Sequence, residues 1–232
     1  MQPSRTPPVP PIHLQSLALL VIDMQRDFCS PGGYADNAGL DVGSLAQPIA
    51  QIERLLAAAR HLGVMVVHTR EGHKPDLSDC PPEKLARSVR GGAPIGSQGP
   101  LGRLLIRGEY GHDFVDALQP LPGEWVIDKP GYGAFYSTAL ESGLRARGIR
   151  QLVLCGVTTE VCVHSTLREA VDRGYACSVV ADATAASEAA LQEPALAMVG
   201  VEGGIFGRVC STEDILAQWH GQDMGQAQGS TP

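Results

Sequence analysis

Several things are missing from this sequence, and each absence removes a class of function. There is no basic excess: 18 Lys and Arg stand against 25 Asp and Glu, for a formal charge of −7. A nucleic-acid partner needs a positive face, so none is expected. No apolar stretch reaches the roughly 20 residues that cross a bilayer, so no membrane partner is expected either. The first eleven residues, MQPSRTPPVPP, lack the charged-then-apolar pattern of a signal peptide. They read as part of a polyproline-like arm over 1–14, and the expected location is cytoplasmic. The six cysteines, Cys29, Cys80, Cys155, Cys162, Cys177 and Cys210, form no Cys-x-x-Cys pair and have no zinc-type histidine pattern beside them. Reduced thiols are predicted. No internal repeat and no boundary divides the chain, which predicts one domain over 15–220 followed by a polar tail at 221–232.

What is present is an alternation of buried strands and amphipathic helices. Leu17 to Asp23 is a continuous apolar run, as in a parallel strand covered on both faces. Helical spacing follows from about Leu45 to His61, with Gly63 as its stop. Further strands are predicted at Val64–Val67, Trp125–Asp128, Leu152–Cys155 and Cys177–Ala181, and further helices near 137–147 and 159–173. This order predicts an α/β fold with a mostly parallel sheet and right-handed crossovers. The stretch from Arg70 to about Gly123 is too long for an ordinary connection, and it is expected to wall the active site or to make an oligomer contact.

Ligands of open parallel sheets bind beyond the carboxyl ends of the strands. Strand one ends in Asp23, a later strand ends in Asp128-Lys129, and the next leads through Thr158 to Cys162. A buried Cys, a strand-end Asp and a Lys each occur for structural reasons alone. Their convergence on one edge is what points to cysteine-based acyl transfer. A helix start lowers a thiol's pKa, and an ammonium at Lys129 favours the thiolate of Cys162. Asp23 then serves as general acid and base, and the backbone N–H groups of Thr158 and Cys162 form the oxyanion hole. Asp128 is an alternative partner, but period-two alternation points it away from Lys129. His68 and His73 come nearest by strand position and receive no role.

Three segments carry a resemblance to the isochorismatase-like cysteine hydrolases. They are Val21-Ile-Asp23-Met-Gln-Arg-Asp-Phe28, Asp128-Lys129-Pro-Gly-Tyr-Gly-Ala-Phe135 and Cys155-Gly-Val-Thr-Thr-Glu-Val-Cys162-Val163. The resemblance implies a three-layer αβα sandwich around a six-stranded parallel sheet, an Asp23-Lys129-Cys162 triad and a cis peptide at Val157-Thr158. It also implies a homodimer or homotetramer in which a neighbour's loop often closes the site. The metal-binding histidine pattern of nicotinamidases is missing from His68 to Asp76, so no catalytic metal and no cofactor are expected.

Within that family the chain is similar to hydrolases of small ureides, especially biuret hydrolase. The similarity lies in His68-Thr-Arg-Glu-Gly-His73-Lys-Pro-Asp76-Leu77, Gly99-Pro-Leu-Gly-Arg103, Arg107-Gly-Glu109 and Gly203-Gly-Ile-Phe-Gly207. Two positions depart from it: Tyr132 stands where the biuret enzyme has lysine, and Glu202 where it has glutamine. A carboxylate accepts two N–H bonds more strongly than an amide does, and a phenol both donates and accepts. That pocket suits triuret, the next longer homologue, cleaved to ammonia and carboxybiuret, which decays to biuret. Phe28 is expected to supply an apolar wall, and Arg70 and Glu71 are candidates at the end of strand two. Three alternatives stand beside this reading. One is a ureidoacrylate-type amidohydrolase, whose acidic substrate would want the cation lost at Tyr132. Another is a non-catalytic binding member of the fold. The third is a purely structural Glu202 paired with Arg208 or another cation.

Overall fold

A computed structural model of the chain describes residues 13–228. Residues 1–12 of the predicted arm therefore lie outside the described part, while Leu14 is buried in a 3-10 turn over Leu14–Ser16. Within the predicted polar tail, a helix that starts at Thr212 continues to Gln228.

Among the described residues eight strands form: β1 Leu17–Ile22, β2 Met65–Glu71, β3 Gln98–Gly99, β4 Gly102–Arg103, β5 Trp125–Lys129, β6 Gln151–Val157, β7 Ala176–Ala185 and β8 Arg208–Cys210. Strands β3 and β4 pair only with each other, antiparallel, and the other six form one parallel sheet in the order β5-β2-β1-β6-β7-β8. Every residue of β1 is buried, and alternate ones serve opposite faces. Leu17, Leu19 and Val21 pack with Ile52, Leu55 and Leu56 of helix α4 (Ile49–His61). Ala18, Leu20 and Ile22 pack instead with Leu140 and Leu144 of α6 (Leu140–Ala146) and Leu167 of α7 (His164–Asp172). Helices thus cover both faces, giving the three-layer sandwich expected. Each large aliphatic side chain in these layers contributes about 1.5–3 kcal/mol by its burial.

The chain runs outward from β1 through β2 to β5, then returns to the centre at β6 and continues to β8. The strand order reverses between β1 and β6, and in such sheets ligands bind at the carboxyl ends beside that reversal. Asp23 follows β1 there, and Thr158 to Cys162 follow β6. The two strands meet closely at Gly156, which has φ +113° and faces Ile22; an added Cβ would lie 2.0 Å from the Ile22 carbonyl oxygen.

Two predicted helices start differently. Ser137 has φ +53°, which no helix accepts, so α6 begins at Leu140. The predicted helix from Thr159 opens with a π-helical turn, Thr159–Val163, before α7 takes over. The long excursion is ordered and folds as helix α5 (Pro82–Arg90), the β3–β4 hairpin and a 3-10 turn at Asp116–Leu118.

Candidate active site

The residue after β1, Asp23, has a left-handed backbone with φ +52°. Its N–H donates to the Thr69 carbonyl at 3.1 Å, and the Thr69 hydroxyl donates to its Oδ1 at 2.6 Å. A non-glycine residue held in that region is over-determined by its surroundings, and such positions cluster at functional sites. Here the β1–β2 neighbour turns the carboxylate over the sheet edge. Lys129, at the end of β5, reaches across β2 to put Nζ 2.8 Å from Asp23 Oδ2. The same ammonium donates to the carbonyls of Gly131 and Tyr132, each at 2.9 Å. Neither Asp23 nor Lys129 is exposed at all.

Cys162 is buried in the π-turn. Its Sγ donates to Glu71 Oε2 at 3.2 Å. Glu71 pairs in register with Lys129, lies 3.5 Å from its Nζ, and takes a second cation from the excursion, with Lys84 Nζ 2.7 Å from Oε1. Lys84 projects from α5, is itself buried, and also donates to the Pro130 carbonyl. Two carboxylates, two ammonium groups and a thiol are therefore enclosed together. The side chains of Asp23, Glu71 and Cys162 bring ligand-type atoms within 4.8 Å of one another, but the Lys129 ammonium already meets both carboxylates.

The two carboxylates titrate in opposite directions. Burial pushes Asp23 above its ordinary value, and repulsion from Glu71 adds to this against the pull of Lys129. Burial also opposes charge on Glu71, but Lys84 and Lys129 outweigh it and hold that carboxyl below its ordinary value. Lys129 stays protonated well into the alkaline range, because Asp23, Cys162 and Glu71 overcome its burial. The sequence predicts a lowered thiol pKa at Cys162, and here the structure corrects it. Burial comes first and raises it well above its ordinary value; Lys129 pulls it down, while Asp23 and Glu71 add to the rise, so the resting thiol is neutral.

Not every predicted site residue arrives. Asp128 does point away from Lys129, and it takes Arg70 with it: Arg70 Nε lies 2.8 Å from Asp128 and its Nη1 3.2 Å from Asp113. Strand alternation sends Glu71 into the cluster and Arg70 to the opposite face, so Arg70 is withdrawn from the substrate pocket. Glu202 is exposed on a left-handed turn with φ +51° and touches none of the triad. The alternative of a Glu202–Arg208 pair is also absent, since Arg208 bonds Ser178 and Gln218. Thr158 ends β6 at the cis Val157-Thr158 bond, and its carbonyl accepts the N–H groups of Val161 and Val163. Tyr132 lies under Lys84, with Nζ 4.8 Å from its ring centre. Phe28 packs edge-on against Tyr34, ring centres 6.0 Å apart. Burial raises the Tyr34 phenol to about 12, and its field partners Glu71, Tyr132 and Cys162 place it at the same site. His68 and His73 are engaged elsewhere, by Glu124 and Asp79.

Lys84, Thr69 and Tyr34 have no assigned role in the sequence reading. Thr69 was one alternation step from its neighbours, whereas nothing local marks Lys84 or Tyr34.

The isochorismatase domain profile matches residues 17–214. The chain belongs to the isochorismatase family. Among curated relatives of this family member, the ureidoacrylate amidohydrolase RutB of Methylorubrum extorquens is 40% identical over 223 residues, covering 93% of this chain and 88% of that one. The protein of the same name from Caulobacter segnis is 36% identical, covering 93% and 90%. A cysteine hydrolase from Pseudomonas syringae pv. phaseolicola superposes with TM-score 0.78 at 30% identity, covering 91% of this chain and 95% of the other. N-carbamoylsarcosine amidase from Thermoplasma acidophilum gives TM-score 0.65 at 26% identity, covering 85% and 96%.

Proposed function

We propose that this protein cleaves the terminal C–N bond of a small, linear, neutral ureide, with triuret favoured over biuret on Tyr132 alone, since Glu202 touches none of the triad. As an amide C–N hydrolase of its family it needs a nucleophile, a proton carrier and a place for the oxyanion. The observation that carries the reading is the burial of the Cys162 thiol beside a lysine-bound Asp23 beyond the carboxyl ends of β1 and β6. Cys162 Sγ attacks the terminal carbonyl carbon as its proton passes to Asp23, so the thiolate exists only as the new S–C bond forms. The oxyanion rests on the N–H groups of Thr158 and Cys162, since the first turn of a helix leaves N–H groups without intrahelical partners. The C–N bond then breaks, the departing nitrogen takes the proton from Asp23, and ammonia leaves. A water gives its proton to Asp23 and its oxygen to the thiocarbamate carbon, and Asp23 returns the proton to sulfur. The released N-carboxylate loses carbon dioxide, so triuret gives biuret. Lys129 stays charged throughout and anchors Asp23.

The choice of a neutral substrate rests on the cations beside the thiol. Lys129 and Lys84 are both committed to carboxylates, whereas Glu71, Tyr132 and Tyr34 offer acceptors to N–H groups. The second reading is hydrolysis of ureidoacrylate, favoured by the name of the relatives at about 40% identity. Ammonia release from triuret, biuret, ureidoacrylate and nicotinamide, with Cys162→Ala alongside, decides between them. Turnover of triuret that vanishes in the variant is expected. Preference for ureidoacrylate would transfer the protein to the second reading, and turnover surviving in the variant would remove Cys162 as nucleophile.

A further inference from the structure

The triad uses one carboxylate, yet two are enclosed with the thiol. Glu71 is the more elaborately held of the two. One oxygen is fixed by Lys84, brought in on α5, and the other faces both Lys129 and the sulfur. Burying a second carboxylate with its own lysine is costly unless both are held in good geometry. Support for Asp23 alone does not require it.

We propose that Glu71 is the residue that selects ureides over simple amides, by accepting the N–H retained on the substrate carbon that Cys162 attacks. Lys84 is its positioning residue. The proposal rests on the reading of the site as a ureide hydrolase. In the resting site Glu71 Oε2 takes the thiol hydrogen at 3.2 Å. Once sulfur bonds to carbon and its proton has gone to Asp23, Oε2 loses that donor and keeps only the more distant Lys129 ammonium, 3.5 Å away. A buried acceptor that loses a close donor is left under-satisfied, and an N–H one bond beyond the attacked carbon replaces that donor. In a ureide, R–NH–CO–NH2, one nitrogen leaves as ammonia and the other stays on that carbon with its hydrogen. In a carboxamide such as nicotinamide the retained atom is carbon and offers no donor. A site built around such a hydrogen bond rejects substrates that lack it far better than an apolar pocket rejects a misfit. The two carboxylates thereby divide the work. Asp23, whose charge is disfavoured, carries the proton, while Glu71, whose charge is secured by two lysines, stays an acceptor.

The test compares triuret and biuret with their internally N-methylated counterparts, 3,5-dimethyltriuret and 3-methylbiuret, which keep every carbonyl but lose the retained N–H. The pair built on whichever ureide the wild type hydrolyses is scored in wild type and Glu71→Gln. Folding of the variant is checked by its circular dichroism and by complete alkylation of Cys162. Wild type is expected to prefer the unmethylated member. In Glu71→Gln the unmethylated ureide is expected to lose about ten- to hundredfold in kcat/KM, and the methylated one much less, so the preference collapses. Lys84→Met, which leaves Glu71 in place but frees one oxygen, should narrow the preference in the same direction, mainly through KM. It supplies the answer if Glu71→Gln does not fold. Equal losses on both members would show that Glu71 serves only the thiol, overturning this inference and leaving the proposed function intact. Failure of the wild type to hydrolyse either ureide would overturn both.

Discussion

Lys129 touches Asp23, Glu71 and two backbone carbonyls from full burial. Removing one member of a buried ion pair leaves the other uncompensated and costs about 3–5 kcal/mol, whereas removing both can be close to neutral. Lys129→Met is therefore expected to lower the urea midpoint sharply, and Asp23→Asn/Lys129→Met to recover most of that loss while staying inactive. A double variant no more stable than Lys129→Met would show that the pair is not the source of the effect. The same residues set the acid limb of activity. Asp23 must be ionised to receive the thiol proton, and burial raises its pKa above the ordinary 3.8. The acid limb of the wild-type kcat/KM is thus expected above that value. A limb at or below 3.8 would assign the proton to another group.

At the scale of elements, the join between β1 and β6 governs where the catalytic groups stand. Gly156 lies between these paired strands with φ +113°, and a methyl there would meet the Ile22 carbonyl oxygen at 2.0 Å. Gly156→Ala combines a clash against backbone with a disfavoured conformation, so a loss above about 4 kcal/mol or insoluble expression is expected. A urea midpoint close to wild type would disprove that account. The fold here was largely legible in the sequence, because β1 and β6 are apolar runs and their helices carry clean stops at Gly63, Gly148 and Gly174. Asp23, Lys129 and Cys162 were legible for a related reason: each stands at a strand's carboxyl end, where topology alone brings such residues together. Other features were not. The three residues of β8 are too short for any periodic signal, and the π-turn before α7 differs from an α-turn only by its hydrogen bonds. Arg70 and Glu71 are neighbours in sequence, and only the register of β2 against β5 decides which one faces the thiol. Lys84 sits in a charge-rich helix that reads as solvated, and its burial follows from a partner thirteen residues earlier.

Across the whole molecule, residues 25–27 fasten the excursion onto the sheet edge. Gln25 donates to the carbonyls of Glu71 and His112, and Arg26 pairs with Asp113. Asp27 accepts from the N–H groups of Tyr34 at 3.2 Å and Leu105 at 2.9 Å, while its own N–H donates to the Gly111 carbonyl. The wall that carries Lys84 and the short helix that begins at Tyr34 (Tyr34–Asn37) thus share one buried carboxyl. Burial raises that carboxyl to about 6, against the two N–H bonds that favour its charge. Because the folded pKa lies above the unfolded value of about 3.9, the folded state binds the extra proton between these two values. The stability contributed by the protonated form is complete below about pH 4 and is lost as pH rises through 6. Asp27→Asn cannot titrate, so comparison with it isolates this contribution from the other acids, which both proteins share. As pH falls from 7.5 to 4.5, the stability difference from urea unfolding is expected to move in favour of the wild type. A difference that stayed constant would mean that Asp27 keeps an ordinary pKa in the fold. A difference moving the other way would mean that the two N–H bonds outweigh burial, and that the excursion is held down by a charged residue.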